Sequence, residues 1–131
     1  MLLDTSGLIC FLDQQERRHT DAVTLFAAAT TRLTHNYVVA EVVALAQARN
    51  LPRTVVLAFC HDLATSAEVR FEWVSAEVHD AALALLVDRA DKSWSLCDAV
   101  SFVLMNAFDL HEALTTDHHF QQAGFIQLLP S

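Results

Sequence analysis

Two patterns meet in the stretch Arg32-Leu33-Thr34-His35-Asn36-Tyr37-Val38-Val39-Ala40-Glu41-Val42-Val43-Ala44-Leu45-Ala46. Residues 32–35 are typical of a short buried strand, and the residues from Tyr37 onward are apolar over the length of a helix. Asn36 between them is a favoured N-cap, because its side-chain oxygen can accept a hydrogen bond from a backbone N–H of the first turn. The stretch therefore predicts a strand that passes directly into a helix.

The same order, a short strand followed by a helix, recurs along the whole chain. Strands are expected at Leu2–Asp4, Arg32–His35, Val69–Val74, Ala113–Thr116 and Ile126–Leu129. Helices are expected at Leu8–Leu12, His19–Thr30, Tyr37–Arg49, Pro52–Thr65, Ala76–Ala90, Leu96–Ala107 and Asp117–Gly124, with Thr5-Ser6-Gly7 as a turn. This alternation predicts an α/β fold with a short, mostly parallel central sheet flanked by helices on both faces.

Length and composition predict a single domain, residues 1–131. The chain has 131 residues, 53% of them apolar, with only two Gly and two Pro. Cys10, Cys60 and Cys97 are far apart in apolar surroundings, so buried free thiols are expected rather than disulfides. No apolar run reaches the ~20 residues that span a bilayer, and Asp4 stands too early for a signal peptide. A cytoplasmic protein with no membrane partner is therefore expected.

The chain is acidic. Eight Lys plus Arg stand against sixteen Asp plus Glu, a formal net charge of −8, and no Lys or Arg follows Lys92. This balance argues against a general DNA-binding protein, which would carry a basic surface. It remains compatible with RNA at a metal-loaded site, because divalent ions would offset part of the negative charge.

Glu41 is the acid that capping or pairing explains least well. It is the only charged residue between Tyr37 and Ala46, and no Lys or Arg lies three or four positions away. It lies beyond the first helical turn, so it caps nothing. The apolar character of the helix on nearly all sides predicts that Glu41 is buried, although a solvent-facing side chain is the alternative. A buried carboxylate without a partner is costly, which makes a bound metal ion a natural partner.

Three further acids, Asp4, Asp98 and Asp117, stand at comparable places. Asp4 and Asp117 come at the ends of predicted strands, and Asp98 lies in the first turn of a predicted helix. Sites in parallel sheets lie beyond the carboxyl ends of the strands, so the four acids can converge at one edge. Carboxylate oxygens suit Mg²⁺ or Mn²⁺, and such a cluster predicts a hydrolase that acts on phosphates.

Helix capping is the competing explanation for some of these acids. Asp117 precedes a helix directly, as an N-cap would. Ser95 and Asp98 fit a capping box, in which the acid accepts a hydrogen bond from the backbone N–H of the cap. Asp4 also fits a turn or a cap. Capping alone does not explain why four acids stand at successive carboxyl-end positions.

Five segments of the chain together carry a family pattern. They are Leu2-Leu3-Asp4-Thr5-Ser6, Val39-Ala40-Glu41-Val42, the run from Asp91 to Phe102, Leu114-Thr115-Thr116-Asp117-His118-His119-Phe120 and Ala123-Gly124-Phe125. This ordered set resembles the PIN-domain ribonucleases of the VapC toxin type, and the resemblance covers essentially the whole chain. The shortage of Lys and Arg is its one departure.

The resemblance implies a three-layer PIN-like domain and a metal-dependent endoribonuclease, the toxin of a toxin–antitoxin pair, that hydrolyses RNA phosphodiester bonds. It implies Mg²⁺ or Mn²⁺ at a catalytic site made by Asp4, Glu41, Asp98 and Asp117. It also implies a supporting hydroxyl, such as those of Thr5, Ser6, Ser95 and Thr116. The partners that it implies are RNA, a cognate antitoxin and a second copy of the chain.

The same residues are also compatible with functions other than catalysis. The main alternative is a non-catalytic α/β module that binds a protein or nucleotide, with the acids as helix caps or as a docking site for a partner's arginine. A receiver-like phospho-acceptor domain is less favoured, because it would need a basic residue after a late strand and none follows Lys92. Zinc is not expected, and His118-His119 are interpreted as surface residues at a helix start.

Overall fold

The computed structural model of the protein describes residues 1–131 and contains five strands and seven helices. The strands are β1 (Leu2–Leu3), β2 (Leu33–His35), β3 (Arg70–Glu72), β4 (Glu112–Leu114) and β5 (Ile126–Gln127). The helices are α1 (Thr5–Leu12), α2 (His19–Ala28), α3 (Asn36–Ala48), α4 (Arg53–Thr65), α5 (Ala76–Asp88), α6 (Leu96–Ala107) and α7 (His119–Gln122). Every strand and helix therefore lies where the sequence predicts one.

The five strands form one sheet in the order β3-β2-β1-β4-β5, and each neighbouring pair is parallel. The α/β prediction is therefore confirmed. Leu2 of β1 is in register with Leu33 of β2 on one side and with Ala113 of β4 on the other. The first strand of the chain thus lies at the centre of the sheet, where both of its edges are hydrogen-bonded.

Helices cover both faces of the sheet and make three layers. Successive residues of a strand point to opposite faces, and Leu2 and Leu3 accordingly belong to two different apolar cores. The core around Leu3 is closed by residues of α1, α2, α3 and α4. The core around Leu2 is closed by residues of α5, α6 and α7, with Phe102 and Phe120 among its largest members. Both cores hold β1 rigidly in place.

The turn predicted at Thr5-Ser6-Gly7 is wrong, because these residues form the first turn of α1. Gly7 explains why the helix can begin so soon after β1. A Cβ atom built on Gly7 would lie 1.9 Å from the carbonyl oxygen of Leu114, so only glycine lets α1 approach the backbone at the end of β4 this closely. The close approach brings Thr5 and Ser6 to the end of β4.

The capping role predicted for Asn36 is also wrong. α3 begins at Asn36 itself and His35 occupies the N-cap position. The Oδ1 atom of Asn36 instead accepts a hydrogen bond from the backbone N–H of Val74, at 2.7 Å. Tertiary contact with the segment after β3 has therefore displaced the local cap.

The three cysteines are free and buried, as the sequence predicts. None of the seven helices combines the length and the apolar character that a membrane crossing would require.

Candidate metal centre

The acids gather at the edge of the sheet where its strand order reverses. From β1 the chain builds β2 and β3 on one side and then β4 and β5 on the other. Such a reversal leaves a crevice beyond the carboxyl ends of the two strands at the switch, here β1 and β4. Asp4 directly follows β1, and Thr115 directly follows β4.

Asp4 is the most deeply buried of the four acids, with 4% of its surface exposed. Its Oδ2 atom accepts hydrogen bonds from the hydroxyls of Thr115, at 2.7 Å, and Ser6, at 3.2 Å. It stands at the N-cap position of α1 but makes no side-chain capping bond. The pKa of Asp4 is raised to about 7, mainly by burial and to a lesser extent by the nearby charges of Asp98 and Glu41, while the Thr115 hydrogen bond acts in the opposite direction.

Cys97 shows that three of the acids converge. Burial raises the pKa of the Cys97 thiol, and the negative charges of Glu41, Asp4 and Asp98 raise it further. Asp4, which follows β1, Glu41 of α3 and Asp98 of α6 therefore all lie near one buried sulfur atom, as predicted for acids that share one sheet edge.

Asp98 is buried and has a well-defined partner on each side. Only 6% of its surface is exposed. The predicted capping box is present, because Ser95 Oγ accepts from the backbone N–H of Asp98 and Asp98 Oδ2 accepts from that of Ser95, each at 3.0 Å. The same Oδ2 atom lies 2.9 Å from Nδ1 of His119. Capping therefore accounts for part of the surroundings of Asp98, and His119 adds a contact that capping does not require.

The prediction that Glu41 is buried is wrong, because its side chain is exposed on α3. The neighbouring Ala44 and Leu45 are exposed as well, so a helix that is apolar on nearly all sides is not necessarily buried on all sides. Glu41 nevertheless faces the other acids, because its Oε1 atom accepts a hydrogen bond from the Thr5 hydroxyl at 2.8 Å. It closes the crevice on its solvent side.

Asp117 is half-buried at the start of α7. The N-cap role predicted for Asp117 is wrong, because His118 occupies the N-cap position of α7, but Asp117 Oδ1 does accept a hydrogen bond from the backbone N–H of His119 at 2.9 Å. Its Oδ2 atom lies 3.4 Å from His119 Nδ1. His119 thus connects Asp117 to Asp98, although sequence reasoning treated it as a surface residue. The sequence did contain one indication that His119 lies in the site. It follows Asp117 by two residues, close enough for its backbone N–H to bond to the Asp117 carboxylate.

Side-chain hydroxyls form hydrogen bonds with the acids, and one of these hydroxyls differs from those that the sequence predicts. Thr5 and Ser6 bond to Glu41 and Asp4, and Ser95 makes the capping box. The strand β4 is followed by Thr115, and it is this hydroxyl, not that of Thr116, that donates to Asp4. Thr116 contributes its backbone N–H, which donates to Ser6 Oγ at 2.9 Å. β4 ends at Leu114, two residues earlier than predicted, so Thr115 is the residue that directly follows the strand and whose hydroxyl faces the crevice.

The residues fit a divalent cation. No Lys or Arg forms an ion pair with any of the four acids, and only Asp98 and Asp117 have a histidine ring, that of His118 or His119, within 4 Å. Carboxylate oxygens are the ligands that Mg²⁺ and Mn²⁺ prefer. The raised pKa of Asp4 indicates a buried charge that lacks positive compensation, which a cation would supply. Ligand atoms of Asp117, His118 and His119 also lie within 4.8 Å of one another, so a metal ion could contact this rim of the crevice too.

Comparison with known proteins identifies close relatives over the full length. The chain is 30% identical over 131 residues to the 23S rRNA-specific endonuclease VapC20 of Mycobacterium tuberculosis, in strains CDC 1551 and H37Rv, covering 99% of this chain and 98% of the relative. The crystal structure of M. tuberculosis VapC20, a sarcin-ricin loop cleaving toxin, matches with a TM-score of 0.89 at 28% identity, over 98% of each chain. No family model matches the sequence.

Proposed function

The chain belongs to the VapC type of PIN-domain toxin ribonucleases, and we propose that it cleaves RNA with a divalent metal ion held by Asp4, Asp98 and Glu41. The observation that supports the metal is the burial of Asp4 beside Asp98 and Glu41 with no Lys or Arg to compensate it. Asp117 lies at the edge of this group. We assign it a lesser role, because its hydrogen bond to the backbone N–H of His119 already accounts for its position.

The chain's own residues prepare the site for this chemistry. Bound Mg²⁺ or Mn²⁺ would generate hydroxide from a water molecule and offset the charge that develops on the phosphate. The Thr115 and Ser6 hydroxyls orient Asp4, and the Thr5 hydroxyl orients Glu41. Because both cores fix β1 and the start of α6, Asp4 and Asp98 need little reorganisation to bind a cation, which favours affinity. No nucleophilic side chain is required.

We propose a loop of ribosomal RNA as the substrate. The relative is named for its action on 23S rRNA, and its crystal structure is that of a sarcin-ricin loop cleaving toxin. Few cations of this chain are available to bind phosphates. Arg89 and Lys92 precede α6 and are the basic residues nearest to Asp98 in the sequence, although both pair with Asp91. We assign them to phosphate contacts that hold the RNA beside Asp98.

A synthetic hairpin with the sarcin-ricin loop sequence is expected to be cut once in its loop by the purified protein with Mn²⁺ or Mg²⁺. Excess EDTA should stop the cleavage, and added Mn²⁺ should restore it, because the acids alone cannot activate water. A hairpin with the same stem and a scrambled loop is the control, and gel analysis of end-labelled RNA gives the products. Equal cleavage with and without EDTA would refute the metal, and equal cleavage of both hairpins would refute the loop as substrate.

The partners implied by the family remain proposals. We propose a cognate antitoxin that inserts an arginine among the acids, since a guanidinium group pairs well with carboxylates that lack an internal cation. We also propose a homodimer acting in the cytoplasm. Leu45, Val55 and Leu57 on α3 and α4 are 37%, 56% and 43% exposed, which gives an apolar surface for such contacts. Light scattering of the purified protein tests the dimer, and a monomer would exclude it.

The non-catalytic alternative explains less of the site. Asp98 does take part in a capping box, as that alternative requires, and Asp117 accepts a hydrogen bond from the backbone N–H of His119 at the start of α7. Asp4 makes no capping bond, and Glu41 lies in the middle of α3. These two acids and the full-length match to an endonuclease favour catalysis.

A further inference from the structure

We propose that His119 is a positioning residue that orients Asp98 toward the metal ion, an inference that rests on the function proposed above. His119 Nδ1 lies 2.9 Å from Asp98 Oδ2, a hydrogen-bond distance. The His119 side chain is 17% exposed and that of Asp98 9% exposed, so the contact is largely shielded from water. It joins α7 to α6 across the crevice and is independent of the capping box.

The two donors to Asp98 act on the same oxygen atom. Oδ2 accepts from the backbone N–H of Ser95 and from His119 Nδ1. The Oδ1 atom has no hydrogen-bond partner within the protein, so it remains available to a cation. Partners that saturate one oxygen of a carboxylate fix the direction of the other, and such outer contacts strongly influence metal affinity.

The imidazole ring is itself held in place by its surroundings. The backbone N–H of His119 donates to Asp117 Oδ1 at 2.9 Å, and Nδ1 lies 3.4 Å from Asp117 Oδ2. Nε2 lies 3.4 Å from the Ser93 hydroxyl. The next residue, Phe120, is completely buried. Because Nδ1 faces carboxylate oxygens, it carries a hydrogen atom and acts as a donor.

A donor role differs from a direct ligand role in a testable way. A nitrogen that carries a hydrogen atom toward Asp98 has no lone pair to offer a metal ion. The side-chain amide nitrogen of asparagine occupies roughly the place of Nδ1 and can donate the same hydrogen bond. The amide nitrogen of glutamine instead corresponds to Nε2, on the side of Ser93. His119→Asn should therefore preserve the contact that His119→Gln and His119→Ala remove.

The test is Mn²⁺ affinity by isothermal titration calorimetry, measured on the full chain with cleavage of the sarcin-ricin hairpin in parallel. His119→Ala and His119→Gln are expected to weaken Mn²⁺ binding by about 10- to 100-fold, the usual effect of losing an outer contact to a ligand. His119→Asn should stay within about threefold of the wild type, because it keeps the donor. His61→Ala, at an exposed histidine on α4, is the control and should bind as the wild type does. Thermal melts verify that each variant is folded.

The outcomes separate this inference from the proposed function. Wild-type affinity in His119→Ala and His119→Gln, together with normal metal-dependent cleavage by the wild type, would overturn the positioning role alone. Equal losses in the asparagine and glutamine variants would also overturn it, and this comparison stands even if His119→Ala does not fold. Absence of both Mn²⁺ binding and cleavage in the wild type would overturn the proposed function and the positioning role together.

Discussion

Asp4→Asn is expected to lower the rate of RNA cleavage at saturating Mn²⁺ by about a thousandfold or more. Asp4 is the most buried of the acids and the one that the others surround, so it contributes the most to holding a cation. Loss of about 4 kcal/mol of transition-state stabilisation, in the range of the several kcal/mol that a catalytic metal supplies, corresponds to a thousandfold. Single-turnover cleavage of the hairpin RNA measures the effect.

Companion variants show whether the loss is specific. Glu41→Gln and Asp98→Asn should also abolish measurable cleavage, whereas Asp117→Asn should be milder because the amide oxygen of asparagine can still accept the hydrogen bond from the backbone N–H of His119. Asp62→Asn changes an acid that is 79% exposed on α4 and should leave cleavage unchanged. Circular dichroism establishes that the variants are folded. A rate for Asp4→Asn within tenfold of the wild type would contradict a primary ligand role, and near-normal turnover by Glu41→Gln would make Glu41 a structural residue.

The second large effect concerns pH and the stability of the metal-free protein, where two buried groups act in opposite directions. The pKa of Asp4 is raised to about 7, mainly by burial. The pKa of His35 is lowered to about 4, also by burial. His35 is fully buried, with Nε2 2.8 Å from the Ser101 hydroxyl and Nδ1 without a partner. Both groups change protonation over nearly the same range of pH.

The sign of each contribution follows from which state binds more protons. Between about pH 4 and 7 the native state binds more protons at Asp4, so rising pH lowers the free energy of unfolding, by about 4 kcal/mol in all. Between about pH 4 and 6.5 the unfolded state binds more protons at His35, so rising pH increases the free energy of unfolding, by about 3 kcal/mol. The two contributions nearly offset each other in the wild type.

Replacing one of the two groups should therefore expose the pH dependence of the free energy of unfolding that comes from the other, which is nearly cancelled in the wild type. In EDTA, the stability of Asp4→Asn relative to the wild type should increase by about 4 kcal/mol from pH 4 to 7. That of His35→Gln should decrease by about 3 kcal/mol from pH 4 to 6.5. Above pH 7 we expect Asp4→Asn to be the more stable protein by about 1 kcal/mol, because the buried amide leaves a donor unsatisfied and loses much of the gain.

Urea denaturation at several pH values measures the free energy of unfolding of each protein. Subtracting the wild-type value from that of the variant removes the contributions of the titratable groups that both proteins contain. A flat difference curve for Asp4→Asn would mean that Asp4 is not a buried, uncompensated charge. Lower stability of Asp4→Asn in EDTA at pH 8, together with an unchanged gain from Mn²⁺, would mean that Asp4 is a structural cap.

Much of the fold could be predicted because the local patterns agree with the tertiary structure. The alternation of strands and helices predicted the parallel sheet correctly. The placement of Asp4 and Asp98 near the carboxyl ends of strands predicted correctly that they lie close together. The cap residue Ser95 behaves as predicted, since no tertiary partner competes for its hydroxyl. The capping prediction for Asn36 fails because the backbone N–H of Val74 takes the side-chain oxygen that would have capped the helix. The assignment of residues 1–131 to one domain and the roles of the four acids remain predictions.

The remaining differences depend on geometry that the sequence does not reveal. Glu41 is exposed because α3 leaves an apolar face open to solvent, and composition cannot tell an open face from a covered one. Thr115 replaces Thr116 because β4 ends at Leu114 instead of Thr116, and the exact end of a strand depends on tertiary pairing that local sequence does not give. His119 reaches Asp98 only because α7 packs against α6, a contact between distant parts of the chain. Each difference concerns the details of the site rather than its location.

The most direct test of the metal centre is anomalous diffraction from crystals of the wild type and of Asp4→Asn grown with Mn²⁺. The wild type should show an anomalous peak within roughly 2.5 Å of a carboxylate oxygen of both Asp4 and Asp98, with Glu41 bound directly or through water. Asp4→Asn should lose that peak under the same conditions. No peak in this crevice, or a peak of equal height in the variant, would contradict the proposal that these acids hold the metal ion.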